Sequence, residues 1–203
     1  MGALADAPHV LVESRAAWRA WLIEHHSTSR GAWLVTWRRE SGHPVLEYDD
    51  VVEELLCVGW IDGQAGSVDA ERRRLYVSPR RPKGVWARTN KERVERLAAA
   101  GLLLPAGVAA IERAKENGAW EALDAVDALE LPGDLVAALD EAPGARATWE
   151  SFSPSVRRMG LGWVLAAKRP ETRAARVADV ADSAARGLKP APARPREEPR
   201  TSS

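Results

Sequence analysis

Two short stretches gather the side chains that could do chemistry. In the first, Trp60, Ile61, Asp62, Gly63 and Gln64 set a carboxylate beside an indole; in the second, Arg80, Arg81 and Lys83 set three cations close to Trp86. A carboxylate there could orient a ligand donor or work as an acid/base. A guanidinium could grip a carboxylate or phosphate through two parallel N–H bonds. The candidate ligand-binding residues are therefore Trp60, Asp62, Gln64, Arg80, Arg81, Lys83 and Trp86. Against this stands a purely structural reading, in which Asp62 accepts turn hydrogen bonds and the cations belong to a solvated loop.

Other chemistries find little support. His25 and His26 are adjacent, so on a helix they diverge by about 100 degrees and do not share a metal ion. His9 and His43 lack the flanking cysteine or carboxylate spacing of a metal site. Gly160 and Gly162 in "MGLGWV" follow no strand and lack a third glycine, so they read as packing positions and not as a phosphate loop. Cys57 ends an apolar helix face and reads as a small buried hydrophobe. No catalytic residue, metal or cofactor is assigned.

The elements that must position the two stretches follow from periodicity and punctuation. Ser14 caps a helix to about His26 with Trp18, Trp21, Leu22 and His25 on one face. "AWLVTWRR" reads as a strand with Trp33, Val35 and Trp37 on one side and Leu34 and Thr36 on the other. A helix from about Asp49 to Val58 leads into two strands, near 59–68 and 73–78, that pair as an antiparallel hairpin. If so, the hairpin brings Trp60–Asp62 beside Tyr76–Arg81. Beyond Pro82 everything reads as helix. "TNKE" (89–92) forms a capping box, Pro105 opens a helix carrying Val108 and Ile111 inward, and Pro132 and Pro143 open two short helices. Ser153 caps a helix burying Val156, Met159, Trp163 and Val164. The last helix stops at Gly187.

The expected class is α+β: a small N-terminal antiparallel sheet with helices over 10–86, a helical part over 87–188 that forms one compact unit with it, and a disordered tail over 189–203. Nine tryptophans are dispersed along the 203 residues, and Trp21, Trp33 or Trp37, and Trp163 are expected in the core.

Charge bounds the partners. Lys+Arg and Asp+Glu are 29 each, so no net charge draws the chain to nucleic acid or anionic lipid. The balance is nevertheless segregated: Glu40 to Glu71 holds nine acids without a Lys or Arg, and Arg72 to Arg96 holds ten bases with only Glu92 and Glu95. Such blocks either pair with each other in the fold or leave a basic groove for an anion. A single cysteine, no basic-then-apolar leader and no run of 18 apolar residues point to a soluble, cytoplasmic chain without a membrane span.

The stretches "YDDVVEELLCVGWIDG", "SPRRPKGVWARTNKERVERL", "GLLLPAGVAAIERAKENGAW" and "SPSVRRMGLGWVLAAKRPETRAARV" carry a family likeness. With its motifs CxGWIDG, PRRPKxxW and AKRPETR, the chain resembles the bacterial YdeI/OmpD-associated (bacteriocin-protection) family over about 10–188. The resemblance implies stress or antimicrobial-peptide protection and envelope association, and some members are described as periplasmic. It supplies no catalytic residues. Gly84 and Val85 stand where family sequences usually have polar residues before the motif tryptophan.

The expected function is a non-catalytic protection module binding a small anionic ligand or a protein partner near Trp60–Asp62 and Arg80–Trp86. An enzyme using Asp62 as acid/base on a small anionic substrate is the alternative. Weak nucleic-acid binding through the 72–96 basic block is a second alternative, disfavoured by the flanking acidic segments.

Overall fold

The computed structural model describes residues 6–193. By its internal contacts the chain divides into two compact units, Met1–Ala122 and Leu123–Ser203. The class is α+β, as expected. The helices α3 and α4, grouped on sequence with the helical part, fall within the first unit.

In the first unit β1 (His9–Leu11) and α1 (Arg15–His25) precede β2 (Ala32–Trp37) and α2 (Tyr48–Cys57). The hairpin β3 (Trp60–Ser67) and β4 (Arg72–Pro79) follows, and then α3 (Arg88–Ala99) and α4 (Pro105–Glu116). The sheet order is β1-β2-β4-β3. β2, β4 and β3 pair antiparallel, whereas β1 runs parallel to β2 with Val10 opposite Leu34. β1 is only three residues long, too short for an alternation to be read from sequence.

Ser14 caps α1, its hydroxyl accepting from Ala17 N at 3.2 Å, and Trp18 and Leu22 turn inward. They meet Leu34, Val51, Leu55, Trp60 and Val77 to form the core between α1, α2 and the sheet. Trp33, on the opposite side of β2, is buried as well. The Arg74 guanidinium lies 4.3 Å from its ring centroid and Tyr76 packs edge-on at 5.4 Å. Trp21 only flanks the core, and Trp37, half-buried, stacks on His43.

A second cluster joins the other side of α2 to α3 and α4 through Val52, Leu56, Trp86, Val94, Leu97 and Ile111. α4 comes so near α2 that a Cβ on Gly107 would collide with the Cys57 carbonyl. This closeness explains a departure from expectation: small residues, Gly107, Ala110 and Ala114, join Ile111 on the inner face, and Val108 is exposed. Gly59 turns the chain from α2 into β3 with φ +73, against Ala106 and Ala110, where a side chain would be strained and crowded. The expected capping box at Thr89 does not form. α3 starts two residues earlier than that box requires, at Arg88, and its cap position, Ala87, offers no side-chain acceptor.

The second unit contains α5 (Asp124–Asp127), α6 (Gly133–Glu141), α7 (Ala145–Ser151), α8 (Pro154–Leu165) and α9 (Pro170–Ala185). Its core is Leu135, Leu139, Trp149, Leu161, Val164 and Val180, and the Ser153 hydroxyl caps α8 by accepting from Val156 N at 3.4 Å. α8 is rotated relative to the expected face, so Gly160 and Leu161 are buried while Met159 is exposed. The cause is steric. The Trp149 ring lies against Gly160, 2.9 Å from where a Cβ would stand, so the tryptophan demands the glycine on its side of the helix. Trp163 flanks this core without being fully buried. Within the segment expected as a disordered tail, Pro190 is buried and Ala191 N donates to Asp179 at 3.1 Å. Residues 194–203 of that expected tail lie outside the described residues.

Candidate functional site

The hairpin register sets Trp60 opposite Pro79, Ile61 opposite Ser78 and Asp62 opposite Val77, so the two stretches are neighbours. Their side chains have different fates. Trp60 is 1% exposed; its indole packs edge-on against Trp21 and donates to His26 O at 3.3 Å, which makes it core. A register irregularity between Asp62 and Ala65 leaves Gln64 exposed and unpaired in the ladder.

Asp62 is half-buried, and its Oδ2 accepts from the Tyr48 hydroxyl at 2.8 Å. Burial and this hydrogen bond push the Tyr48 phenol up to about 12. Tyr48 opens α2, fourteen residues upstream of Asp62, and no spacing rule joins the two. Only the packing of α2 against the sheet does.

Arg80 is the most unusual cation. Its guanidinium lies 3.9 Å from the Trp86 ring centroid, and Nη1 donates a long 3.4 Å bond to Val85 O. Nε is buried without any partner, and no carboxylate reaches ion-pair distance among the described residues. Burial pushes the guanidinium down to about 10, with Coulomb attraction from Asp62 acting the other way. The loop around it is pinned: Arg80 N donates to Gly59 O at 3.0 Å, Gly84 N to Arg81 O at 2.9 Å, and Asn117 Nδ2 to Pro82 O at 2.7 Å. Trp86 is 1% exposed and rests against Trp120 at 5.0 Å, so it forms a rigid floor beneath Arg80. Arg81 and Lys83 are exposed on the same loop. The fold thus brings Asp62, Arg80 and Trp86 into one neighbourhood, leaves Gln64, Arg81 and Lys83 exposed, and buries Trp60 elsewhere in the core.

Sequence reading missed a second charged cluster. Glu54, 2% exposed, accepts from Arg15 Nε at 2.7 Å and from Arg19 Nη1 at 2.8 Å, tying α1 to α2. Arg15 also reaches Asp50 at 2.6 Å and Glu53 at 2.9 Å. The basic block pairs partly with the acidic one, Arg93 with Asp49 at 2.6 Å and Arg96 with Glu53 at 3.3 Å. Among the described residues no group of three or more His, Cys, Asp or Glu side chains converges as metal ligands would, and no helix is long and apolar enough to cross a membrane.

Two family models match the chain. Residues 10–110, which include CxGWIDG and PRRPKxxW, match a domain of unknown function (DUF8412). Residues 128–187, which include AKRPETR, match the family described as "Bacteriocin-protection, YdeI or OmpD-Associated". The segment matched by the second model lies within the second unit. No curated protein and no solved structure matches the chain. Within that matched segment, the AKRPETR motif has a structural explanation. Pro170 takes the first position of α9, and Arg173 grips Asp134 of α6 with Nε at 2.6 Å and Nη2 at 2.9 Å.

Proposed function

We propose that the protein is a non-catalytic protection module whose first unit binds a small anion, a carboxylate or phosphate, at Arg80. The single observation that carries this reading is the guanidinium held over the Trp86 ring, 3.9 Å from its centroid, without a carboxylate partner among the described residues. Burying a cation this way is unfavourable unless something compensates it, and a bound anion would restore the missing charge and hydrogen bonds. Arg81 and Lys83, exposed on the same loop, would raise the local anion concentration, and Asp62 with Tyr48 would orient a donor on the ligand. The protective role rests on the description of the family matched by the second unit. The pairing of Arg93 and Arg96 with acids of α2 supports a local anion site over a platform for a long polyanion.

Titration calorimetry with phosphate and acetate tests this. Arg80→Met should weaken binding at least tenfold, and Arg81→Met about twofold in a salt-dependent manner. Equal affinity in wild type and Arg80→Met would refute the assignment.

A further inference from the structure

Between α2 and the inner face of the sheet lies a cavity of about 150 Å³, away from Trp86. We infer that this cavity is a binding site for a small monocarboxylate carried on an apolar body about the size of benzene. The inference rests on Arg73 and Thr36, which take no part in the Arg80 reading, although Tyr48 borders both sites.

Its floor is apolar and rigid: Leu34 and Val51 are 1% and 3% exposed, and Leu75 of β4 completes it. A volume of roughly 150 Å³ is enough for a benzene-sized body, and the cavity opens to solvent along Tyr48, Ala65, Gly66 and Arg73, which are exposed. Against these apolar side chains the lining sets Thr36 and the exposed Arg73, and Tyr48 and Arg74 also border it. Arg73 Nε donates to Thr36 Oγ1 at 3.2 Å and Nη2 to Leu46 O at a long 3.4 Å. Nη1 has no partner, and no carboxylate pairs with Arg73 among the described residues. Thr36 is 5% exposed; its hydroxyl accepts from Arg73 and donates to no other described residue, so its proton is available to a ligand oxygen. Tyr48 forms the wall but has its hydroxyl committed to Asp62.

The ligand class follows from this division. One guanidinium and one hydroxyl match the two oxygens of a carboxylate, and the remaining volume matches an apolar body. A phosphate would leave most of its oxygens against leucine and valine, at a high desolvation cost. A neutral hydrocarbon would fill the volume but leave the Arg73 and Thr36 donors unused.

The test uses the full chain, with benzoate as the probe and toluene and phosphate for comparison. Methyl resonances of Leu34, Val51 and Leu75 report occupancy of this cavity directly. Benzoate should shift them saturably, with a dissociation constant of about 1 mM or below. Arg73→Met should weaken benzoate at least tenfold while toluene binding stays within twofold of wild type, which also shows the variant is folded. Thr36→Val should weaken benzoate by a smaller factor. Phosphate should leave the three residues unshifted, and Arg80→Met should leave benzoate binding at these methyls unchanged. The inference fails if millimolar benzoate leaves the methyls unmoved, or if Arg73→Met binds it as tightly as wild type. It also fails if Arg80→Met abolishes the methyl shifts, since benzoate would then act from the Arg80 loop.

Discussion

Arg15 and Arg19 on one side and Arg80 on the other are partly withdrawn from water in the first unit, and they end in opposite electrostatic states. Arg15 and Arg19 converge on Glu54. Burial alone would lower both guanidinium pKa values, but hydrogen bonds and Coulomb attraction from Glu54 outweigh it and raise them. Arg80 has an indole where those arginines have a carboxylate, and its pKa falls to about 10. A guanidinium whose donors are filled by carboxylates fastens two helices together and has little left to offer a ligand. A guanidinium set on an aromatic face is oriented but not neutralised. Availability for binding therefore depends on the partner that shares the desolvated cation more than on the depth of burial.

The largest effect should come from the floor beneath Arg80. Trp86→Ala removes a buried indole that packs on Trp120, and should cost about 3–5 kcal/mol of unfolding free energy in urea denaturation. Loss below about 1 kcal/mol would mean that the indole contributes little beyond contact with the arginine.

Next, Glu54→Gln should cost about 2–3 kcal/mol, because Arg15 and Arg19 lose their shared carboxylate. The figure stays below that for a fully buried pair because their side chains are 37% and 29% exposed. Arg80→Met should run the other way and stabilise by about 1 kcal/mol. It removes an uncompensated buried charge but keeps an apolar side chain on Trp86, with the lost cation–π attraction a smaller loss. Destabilisation of Arg80→Met comparable to that of Glu54→Gln would erase the contrast between the two clusters.

The smallest effect lies in alkali, where Arg80 and Tyr48 oppose each other. Above pH 10 the folded protein releases the Arg80 proton while the unfolded chain still holds it, so this group makes stability rise with pH. Tyr48 keeps its proton to about 12 when folded but loses it near its ordinary, lower value when unfolded, so it makes stability fall over the same interval. Relative to wild type, Tyr48→Phe should therefore gain stability between pH 10 and 12, and Arg80→Met should lose it. Urea midpoints across that interval check both signs. Parallel curves for all three proteins would show that neither group titrates as its surroundings require.

Much of the scaffold was readable before the fold was known. Ser14 and Ser153 stand where a helix needs a hydroxyl acceptor, and both caps form. The alternation of Leu34 and Thr36 against Trp33 and Trp37 matches the faces of β2, and the short link between β3 and β4 sets the hairpin that brings Asp62 beside Val77. These signals are local, and their geometry is fixed by the nearest few peptide units. Failures came where a distant group intervened. Gly160 faces inward because Trp149 occupies the space, and Val108 faces outward because α4 must approach Cys57 closely.

For the candidate site the same division holds. Sequence alone named Asp62, Arg80 and Trp86 as residues worth watching and, through the hairpin, placed them near one another. It could not say that Trp60 would be buried, that Tyr48 would take one oxygen of Asp62, or that Glu54 would neutralise Arg15 and Arg19 and leave Arg80 on an indole. Those outcomes depend on contacts between α1, α2 and the sheet at separations of fourteen to forty residues. No local propensity encodes which carboxylate a given arginine will reach. Periodicity and capping determined which elements exist, and the docking of helices onto the sheet decided which charges are spent and which remain open, because only tertiary packing sets the distances on which desolvation and pairing depend.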